Sequence, residues 1–411
     1  MKQNLKLIFT LSGIFITVLG YGQVDDLKRN AMKARAMIES SQSVILPGIF
    51  QTAEYLPLLK NKNVAVVANQ TSIFYKTHLV DSLLTLKVKV KKVFAPEHGF
   101  RGNVEAGGNV KNDTDSKTRL PVISLYGKNE KPTTEDLTGI DVIVFDIQDV
   151  GARFYTFIST LEFIMDACAV NKVKVIVLDR PNPNSFYVDG PVLKDSFRSF
   201  VGRQPVPIVY GMTIGEYAQM LNGENWLDSK LKCDLTVIQC SNFDHTKLYS
   251  LPVPPSPNLP NMSAVYLYPS LCLFEGTSVS VGRGTEKPFQ IIGTTDSTIK
   301  GFTFTPKKIA GVAENPPYLN QKCYGMDLTR SAASVLSSKK LELKWLIGFY
   351  MNSKDQSAFF NPFFDKLAGT DQLRIMIQTD KSEAEIRKSW ENDINAFKKI
   401  RKKYLLYLDF E

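Results

Sequence analysis

Cysteine and histidine are both scarce in this sequence of 411 residues, which contains five Cys and three His. The cysteines are scattered and odd in number, unlike the disulfide framework of a small secreted domain. Cys233 and Cys240 are near enough in the sequence either to form one local disulfide or to remain buried free thiols. No histidines have the H-x-x-x-H or H-E-x-x-H spacing of a zinc site, so no metal is predicted.

Long apolar runs are absent after the N-terminus. Residues 7–20 carry no charge and follow Lys2 and Lys6, but this run is shorter than the roughly 20 residues that a membrane span needs. Small residues then precede Asp25 and Asp26, which predicts a signal peptide over residues 1–22, cut near Gly22. The expected location is periplasmic or secreted, without stable membrane insertion after cleavage. An uncleaved anchor is the alternative, and the acidic residues that follow disfavour it.

The sequence also has no excess of acidic residues, since its formal net charge is +9 with 44% hydrophobic and 22% charged residues. These proportions are typical of a globular protein large enough for about two domains. Much of the basic excess lies at residues 398–403, where a solvated helix face is the ordinary explanation. The sequence has no nucleic-acid-binding signature, so no nucleic acid partner is predicted. An anionic cell-envelope polymer fits a basic exported protein better.

Continuous apolar runs alternate with helical patterns in the first half of the chain. Strands are predicted at 64–68, 88–94, 141–147 and 173–178, and helices at 78–86 and 157–170. Runs that are apolar on both faces imply a parallel sheet covered by helices on both sides, so the predicted fold class is α/β with a Rossmann-like sheet. Asn69-Gln70-Thr71 follows the first strand in place of G-x-G-x-x-G, so no nicotinamide or flavin cofactor is predicted.

Five prolines between residues 251 and 260 mark the predicted domain boundary. A catalytic domain is assigned to residues 44–250, and a smaller α+β auxiliary domain to residues 260–411. Ser382 and Glu385 have the spacing of a capping box at the start of a long C-terminal helix. Outside the first sheet, strands are predicted at 271–283, 302–306 and 325–328, and helices at 25–41, 331–337 and 382–404.

Four predicted strands end in polar turns, at residues 69–71, 97–99, 146–153 and 179–182. The carboxyl ends of parallel strands meet at one edge of an open sheet, where ligands bind. Hydrolysis of a glycosidic bond needs a proton donor and a second group that supports an oxocarbenium-like transition state. Glu97 is the predicted acid, with Asp146 as its catalytic partner, and His98 would either orient Glu97 or hydrogen-bond a sugar hydroxyl. Alternative partners are Asp149 and Glu105. The alternative for Glu97 is a salt bridge to Arg101 or a place at a helix start.

Other polar residues at these turns are predicted to bind substrate. Arg153 would bind a substrate carboxylate, because a guanidinium pairs with a carboxylate through two parallel hydrogen bonds. Tyr155 would stack on a ring of the substrate. The alternative is an internal pair between Arg153 and Asp149. Glu275 and Arg283 lie in glycine-spaced turns that either close over the sheet edge or form an ordinary hairpin. The full predicted set is Asn69, Arg101, Gln148, Asp149, Arg153, Tyr155, Arg180, Asn182, Glu275 and Arg283.

A possible nucleophile site occurs at residues 211–215, where G-M-T-I-G has the form of a nucleophile elbow with Thr213 in place of serine. Thr213 and Glu216 also have capping-box spacing before a helical pattern at 217–221, and capping is the preferred interpretation. An esterase or amidase therefore lacks a recognisable nucleophile.

Four motifs together identify a family. They are A-P-E-H-G-F-R-G at 95–102, D-I-Q-D-V-G-A-R-F-Y-T at 146–156, D-R-P-N-P at 179–183 and F-E-G-T-S-V-S-V-G-R-G-T at 274–285. The sequence resembles the exo-β-N-acetylmuramidases, long catalogued as a domain of unknown function, from about residue 44 to the C-terminus. Members of that family remove N-acetylmuramic acid from the non-reducing ends of peptidoglycan fragments.

The resemblance implies a Rossmann-like catalytic domain, an auxiliary domain and a cleft between them. The family's proposed catalytic glutamate corresponds to Glu97, and the substrate class places the protein in cell-wall recycling. N-acetylmuramic acid carries a lactyl carboxylate that N-acetylglucosamine lacks, so a selective site needs a cation. The candidates are Arg101, Arg153, Arg180 and Arg283. The alternative function is a non-catalytic peptidoglycan- or muropeptide-binding protein.

Overall fold

A parallel β-sheet with helices on both faces lies at the centre of the molecule, as the sequence predicts. The computed structural model describes residues 44–102, 108 and 112–411. The predicted signal peptide, the predicted helix at 25–41 and Glu105 lie outside the described residues and stay predictions.

Seven of the described strands form the central sheet. They are β1 (Asn63–Ala68), β4 (Lys89–Ala95), β5 (Asp113–Thr114), β6 (Pro121–Ser124), β7 (Val142–Asp146), β8 (Lys174–Leu178) and β9 (Leu235–Ile238). Their order across the sheet is β5-β6-β4-β1-β7-β8-β9, and all neighbouring pairs are parallel except β5 and β6. The chain therefore starts in the middle of the sheet, moves to one edge through β4 and β6, and then returns to build the other half from β7. A small hairpin joins β2 (Ile73–Phe74) and β3 (Thr77–His78).

Alternate residues of β1 enter two different hydrophobic cores, which shows why its sequence is apolar at every position. Val64 and Val66 pack in one core, and Ala65 and Val67 pack in the other. Helix α2 (Leu79–Thr85) covers the first face, while α4 (Phe157–Asn171) and α5 (Ile214–Gly223) cover the second. The predicted strands of the first half are all confirmed, with ends shifted by one residue.

Two helix starts show how local sequence sets the element ends. The ring of His78 accepts a hydrogen bond from the backbone N–H of Val80 at 3.2 Å, so α2 begins one residue later than predicted. Burial lowers the pKa of His78 to about 4, which keeps the ring neutral and able to accept. Thr213 and Glu216 form a complete capping box at the start of α5, which confirms capping over the nucleophile interpretation.

The remaining helices surround the sheet and build the second half of the chain. They are α1 (Thr52–Tyr55), α3 (Thr134–Leu137), α6 (Met262–Leu271), α7 (Ala332–Ser338), α8 (Lys344–Met351), α9 (Phe363–Ala368), α10 (Gln372–Gln378), α11 (Glu383–Ser389) and α12 (Glu391–Arg401). Short 3₁₀ turns lie at Gly48–Phe50, Leu56–Leu59, Asp195–Phe197, Cys272–Gly276 and Thr329–Ser331. A small antiparallel sheet has the order β10-β12-β11, from β10 (Ile291–Thr294), β11 (Phe302–Phe304) and β12 (Cys323–Asp327).

Two predictions for the second half are corrected. Residues 271–283 were predicted as a strand, but α6 and the 3₁₀ turn Cys272–Gly276 end there, and Gly276 packs so closely on α9 that a Cβ would lie 2.3 Å from the Cα of Phe364. The predicted helix at 382–404 is two helices that meet at Trp390. The capping box of Ser382 and Glu385 is confirmed.

The structure also bears on the cysteine pairing and on a membrane span. All five cysteines are buried free thiols, so Cys233 and Cys240 do not form a disulfide. Across the described ranges, no helix has the length and apolar character needed to cross a bilayer. The division of the chain at residues 251–260 stays a prediction.

Candidate active site

A cavity of about 440 Å³ lies beyond the carboxyl ends of β4 and β7. Its walls combine residues 97–201, from the sheet half of the chain, with residues 256–367 from the second half. Five of the predicted site residues line it: Glu97, His98, Tyr155, Glu275 and Arg283. Aromatic rings form much of the remaining wall, from Tyr126, Phe154, Phe200, Tyr268, Phe289 and Phe363.

Glu97 reaches the cavity because the chain turns sharply after β4. The backbone N–H of Gly99 donates to the carbonyl of Pro96 at 3.0 Å, which closes a tight turn with Glu97 at its second position. His98 and Gly99 follow in the left-handed region, with φ of 70° and 79°. A non-glycine residue there is uncommon, and such backbone conformations cluster at functional sites. Buried His98 lines the cavity beside Glu97, and its orienting role stays a prediction.

Thr156 fixes the carboxyl group of Glu97. Its hydroxyl donates to Oε2 of Glu97 at 2.7 Å, across 59 residues of sequence. Thr156 is the N-cap residue of α4, yet its side chain caps no backbone N–H of that helix. The hydroxyl that would ordinarily serve the helix is therefore directed at Glu97. The N-terminus of α4 also places the positive end of a 15-residue helix close to the Glu97 carboxyl group.

Tyr155 stands beside Glu97 in the same wall. Its ring lies edge-on to Phe157 and Tyr268, with centroid distances of 4.9 and 5.7 Å. Burial raises the pKa of Tyr155 well above its usual value, and the charges of Asp149 and Glu97 raise it further. The phenol therefore keeps its proton at neutral pH.

Glu275 and Arg283 form the charged part of the opposite wall. Nε of Arg283 donates to Oε1 of Glu275 at 2.6 Å, and the two side chains are 20% and 24% exposed. The guanidinium carbon also lies 5.0 Å from the ring centroid of Phe289. This geometry confirms that the two turns of the second half reach the edge of the first-half sheet.

Asp146 and Arg180 lie away from the lining and bind each other. Nε and Nη2 of Arg180 donate to the two carboxyl oxygens of Asp146 at 2.6 and 2.9 Å. Both side chains are buried, at 0% and 2% exposure, and the carbonyl of Asp146 accepts a hydrogen bond from Ser72. This ion pair lies outside the cavity lining, and the roles of Asp146 in catalysis and of Arg180 in substrate binding stay predictions.

Arg153 is also internal, but its partners differ from both sequence interpretations. Nη1 donates to the carbonyls of Pro191 and Val206, and Nη2 donates to the carbonyl of Leu367, each at 2.8 Å. Arg153 is fully buried, and burial lowers its pKa to about 9. Leu367 lines the cavity, so Arg153 ties the strand-end turn to that part of the wall. Arg153 itself is outside the lining, and its clamp on a substrate carboxylate stays a prediction.

Arg101 is held outside the cavity lining as well. Its Nε and Nη2 donate to the two carboxyl oxygens of Asp115 at 3.1 and 2.8 Å. The guanidinium also lies 4.3 Å from the ring centroid of Phe100. The Arg101 guanidinium helps to lower the pKa of Asp115 to about 2, against the opposing effect of burial. Arg101 therefore anchors the segment after the Glu97 turn and does not pair with Glu97.

The other predicted residues hold the strand-end turns together. Oδ1 of Asn69 accepts from the backbone and hydroxyl of Thr71, whose Oγ1 accepts from the N–H of Gln148 at 3.0 Å. Nε2 of Gln148 donates to the carbonyl of Pro181 at 2.7 Å. Asn182 donates to the carbonyl of Met212 at 2.8 Å. Asn69, Gln148 and Asn182 are thus buried in contacts within the scaffold, and their substrate contacts stay predictions.

Asp149 is buried behind the cavity wall and is outside its lining. It accepts hydrogen bonds from the N–H of Gly151 at 2.6 Å and from the hydroxyl of Tyr210. Burial raises the pKa of Asp149 to about 6, and these two bonds oppose the rise. The alternative pairing of Asp149 with Arg153 is not formed, since Arg153 donates to backbone carbonyls. The substrate contact of Asp149 stays a prediction.

Several residues that line the cavity were not predicted from the sequence. Thr156 was inside a quoted motif, but its threonine side chain carries no signal of a distant partner. Ser256 and Asn258 lie in the proline-rich segment, which was interpreted only as a boundary. Nδ2 of Asn258 donates to the carbonyl of Val312 at 3.0 Å, and its buried Oδ1 has no hydrogen-bond partner among the described residues. The sequence signal that could have identified Ser256 and Asn258 is the occurrence of two polar residues inside a proline-rich run.

The solved structures that resemble this chain support the same architecture. Two crystal structures of DUF1343 family proteins from Bacteroides fragilis NCTC 9343 superpose with TM-scores of 0.83 and 0.71, at 48% and 28% sequence identity. Each covers 89% of this chain, and the matches span 100% and 99% of the two solved chains.

The sequence comparisons give the family. A profile described as "Exo-beta-N-acetylmuramidase NamZ, N-terminal" matches residues 64–263, and its C-terminal counterpart matches residues 266–407. The Bacillus subtilis (strain 168) protein named peptidoglycan beta-N-acetylmuramidase NamZ is 34% identical over 429 residues, which cover 99% of this chain and 100% of that protein. Because both profiles match in order and the full-length relative is 34% identical, this chain belongs to the exo-β-N-acetylmuramidase family.

Proposed function

We propose that this protein is an exolytic glycoside hydrolase that releases N-acetylmuramic acid from the non-reducing ends of peptidoglycan fragments. The observation that carries the proposal is the placement of Glu97 in a cavity at the carboxyl edge of the sheet, with Oε2 held by Thr156 at 2.7 Å. The name of the Bacillus subtilis relative supports the same substrate class. The comparisons give no support to the alternative of a non-catalytic binding protein.

The cavity has the size and chemistry for one terminal sugar. Its volume of about 440 Å³ lies toward the small end of ligand pockets. Tyr155, Tyr268 and Phe289 offer ring faces and edges on which the apolar face of a pyranose can pack. A cavity of this size supports removal of end residues, because an internal sugar of a long glycan needs a groove that is open on both sides.

Glu97 is the proposed general acid/base of the reaction. A positioned carboxylic acid protonates the glycosidic oxygen as the bond to the anomeric carbon breaks, and the resulting carboxylate can then activate water. Thr156 keeps the carboxyl group in one orientation, so that the proton is delivered along a fixed direction. Among the described residues that line the cavity, Glu275 is the other acid, and its Oε1 already binds Arg283.

The decisive experiment compares wild type with Glu97→Gln on two substrates, a MurNAc–GlcNAc disaccharide and a nitrophenyl β-muramide. We expect kcat/KM on the disaccharide to fall by about 10²–10⁴-fold, the usual contribution of general acid–base catalysis. The loss on the nitrophenyl muramide should be smaller if protonation limits the rate, because nitrophenolate leaves with little help from an acid.

The matched control is Glu286→Gln, the same substitution at an exposed position outside the cavity lining. It should leave both rates unchanged. Circular dichroism and thermal unfolding verify that Glu97→Gln is folded. A folded and fully active Glu97→Gln protein would remove Glu97 from the mechanism, and a wild type that binds the disaccharide without cleaving it would establish the binding function instead.

The proposed location is the periplasm or the cell exterior, where peptidoglycan fragments are present. It is supported by the basic start, the short apolar run and the small residues before position 23 in the sequence. The intact mass of the mature protein from a fractionated cell locates the cut, which we expect near Gly22.

A further inference from the structure

Selectivity for muramic acid requires a cation near the bound sugar, and the sequence offered four arginines for that role. The guanidinium groups of three of them donate hydrogen bonds to other groups of the protein. Arg101 binds Asp115, Arg180 binds Asp146, and Arg153 donates to three backbone carbonyls. None of the three lines the cavity, whereas Arg283 does. Of the described lining residues, Arg283 is the one arginine or lysine.

The guanidinium of Arg283 retains unused donors. Nε binds Glu275, and among the described residues neither Nη1 nor Nη2 donates a hydrogen bond. These two nitrogens form the flat edge of the guanidinium that can receive both oxygens of a carboxylate at once. Arg283 therefore differs from the other three arginines in having a complete bidentate edge available at the cavity wall.

The surroundings of Arg283 hold that edge in place. Gly282 and Gly284 flank it with φ of 77° and 79°, and a Cβ at either position would come within 2.9 Å of the backbone carbonyl of Lys287 or 2.5 Å of that of Lys307. Glu275 fixes Nε from a 3₁₀ turn. The pKa of Arg283 is raised, mainly by the Glu275 charge and hydrogen bond against burial, so the side chain stays a cation.

We propose that Arg283 recognises the lactyl carboxylate of N-acetylmuramic acid and determines the selectivity of the site, with Glu275 as the residue that positions it. This inference rests on the proposed function and names the specificity determinant of the same cavity. N-acetylglucosamine has a hydroxyl where muramic acid has the lactyl ether, so it leaves the charged Nη edge without an anion. A site built around a charged hydrogen-bonding partner discriminates strongly against a ligand that lacks it.

The test measures kcat/KM for three nitrophenyl glycosides: the muramide, its lactyl methyl ester and the N-acetylglucosaminide. We expect wild type to prefer the muramide over its methyl ester by about 100-fold. Arg283→Gln should bring that ratio close to one, mainly by raising KM for the acid. Arg283→Lys should restore part of the preference, since a lysine supplies charge but no bidentate edge. Glu275→Gln should lower the ratio less than Arg283→Gln does.

Arg330→Gln is the matched control, because it removes one positive charge from an exposed side chain outside the cavity lining. It should keep the wild-type ratio. A folded Arg283→Gln protein that retains the preference for the acid overturns the proposal. If that variant does not fold, the ratio of Arg283→Lys decides in its place, and an unchanged ratio there also overturns it.

Failure of the proposed function gives a different result. In that case wild type cleaves none of the three glycosides, and calorimetry with free N-acetylmuramic acid and its methyl ester tests Arg283 separately. Tighter binding of the acid that disappears in Arg283→Gln supports the assignment of Arg283 even then. Equal binding of acid and ester by wild type contradicts it.

Discussion

Two carboxylate–arginine pairs lie near the same edge of the molecule, and they differ in what surrounds them. Asp146 and Arg180 are 0% and 2% exposed and share two hydrogen bonds of 2.6 and 2.9 Å. Glu275 and Arg283 are 24% and 20% exposed and share one bond of 2.6 Å. The first pair satisfies itself completely and belongs to the scaffold. The second leaves donors at a cavity wall and can bind a ligand. Residue type and motif membership do not separate these roles, whereas burial and remaining hydrogen-bonding capacity do.

The largest expected effect comes from breaking the buried pair. Arg180→Met leaves the Asp146 carboxylate without its partner at a fully buried position, so the free energy of unfolding should fall by about 3–5 kcal/mol. The kcat of the folded fraction should stay close to that of wild type, since neither residue lines the cavity. Urea denaturation and active-site titration measure the two quantities separately.

The double variant Asp146→Leu with Arg180→Met is the control for this prediction. It removes both charges, so it should be more stable than Arg180→Met alone. The opposite pattern for Asp146→Asn, a loss of about 100-fold in kcat with unchanged stability, would return Asp146 to the catalytic role that the sequence suggested.

A second prediction concerns Asp149, a scaffold acid immediately behind the cavity wall. Its pKa is raised from 3.8 to about 6, mainly by burial. Between those values the folded protein holds a proton that the unfolded chain releases, so this group makes the folded state less stable as pH rises. Asp149→Asn does not titrate. The unfolding free energy of the variant minus that of wild type should therefore increase by about 3 kcal/mol as pH rises from about 3 to about 7.

Denaturant unfolding at several pH values measures this difference. Asp195→Asn is the matched control, because it makes the same substitution at a side chain that is 92% exposed. A pH-independent difference for Asp149→Asn would mean that Asp149 ionises as it does in the unfolded chain. In that case the contrast between buried scaffold residues and partly exposed residues of the cavity wall would not hold at Asp149.

Four of the seven described strands of the central sheet, β1, β4, β7 and β8, could be predicted from the sequence because they carry apolar runs rich in β-branched residues. The short strands β5, β6 and β9 are more exposed and carry no such run. Strands such as Val142–Asp146 and Lys174–Leu178 are too short and too rich in β-branched residues for helices, and the helices between them imply parallel crossovers. The second half has no such alternation. Its apolar run at 271–283 has no fixed period, and the packing of Gly276 on α9 decides its conformation. That contact is separated by 88 residues of sequence, so no local pattern reveals it.

The candidate site was predictable only in part, for a related reason. Glu97 follows β4 by two residues, and a strand end determines where the next few residues lie. Whether an arginine has donors left for a ligand depends on partners far along the chain. Arg153, for example, donates to the carbonyl of Leu367, which is 214 residues away in sequence. A sequence motif shows that an arginine is present at the edge of the sheet, but the number of its hydrogen bonds used internally is a property of the folded chain.

Thr156 gives the smallest of the expected effects and tests the boundary between the two kinds of residue. It begins helix α4 and donates to Oε2 of Glu97, and it caps no backbone group. Thr156→Val keeps the shape of the side chain and removes a hydrogen bond to the carboxyl group of Glu97, the proposed general acid/base. We expect a loss of about 2 kcal/mol in transition-state stabilisation, or roughly 30-fold in kcat, with little change in thermal stability.

Thr156→Ser keeps the hydroxyl and should retain most of the activity, while initial rates on the disaccharide together with thermal unfolding separate the two effects. A Thr156→Val protein that loses stability but keeps its kcat would place this hydroxyl in the scaffold. The assignment of roles by burial and remaining hydrogen-bonding capacity would then fail at the residue that contacts Glu97 directly. The expected result, lower kcat in an equally stable protein, would instead show that a threonine at a helix start serves catalysis because its hydroxyl is not needed by the helix.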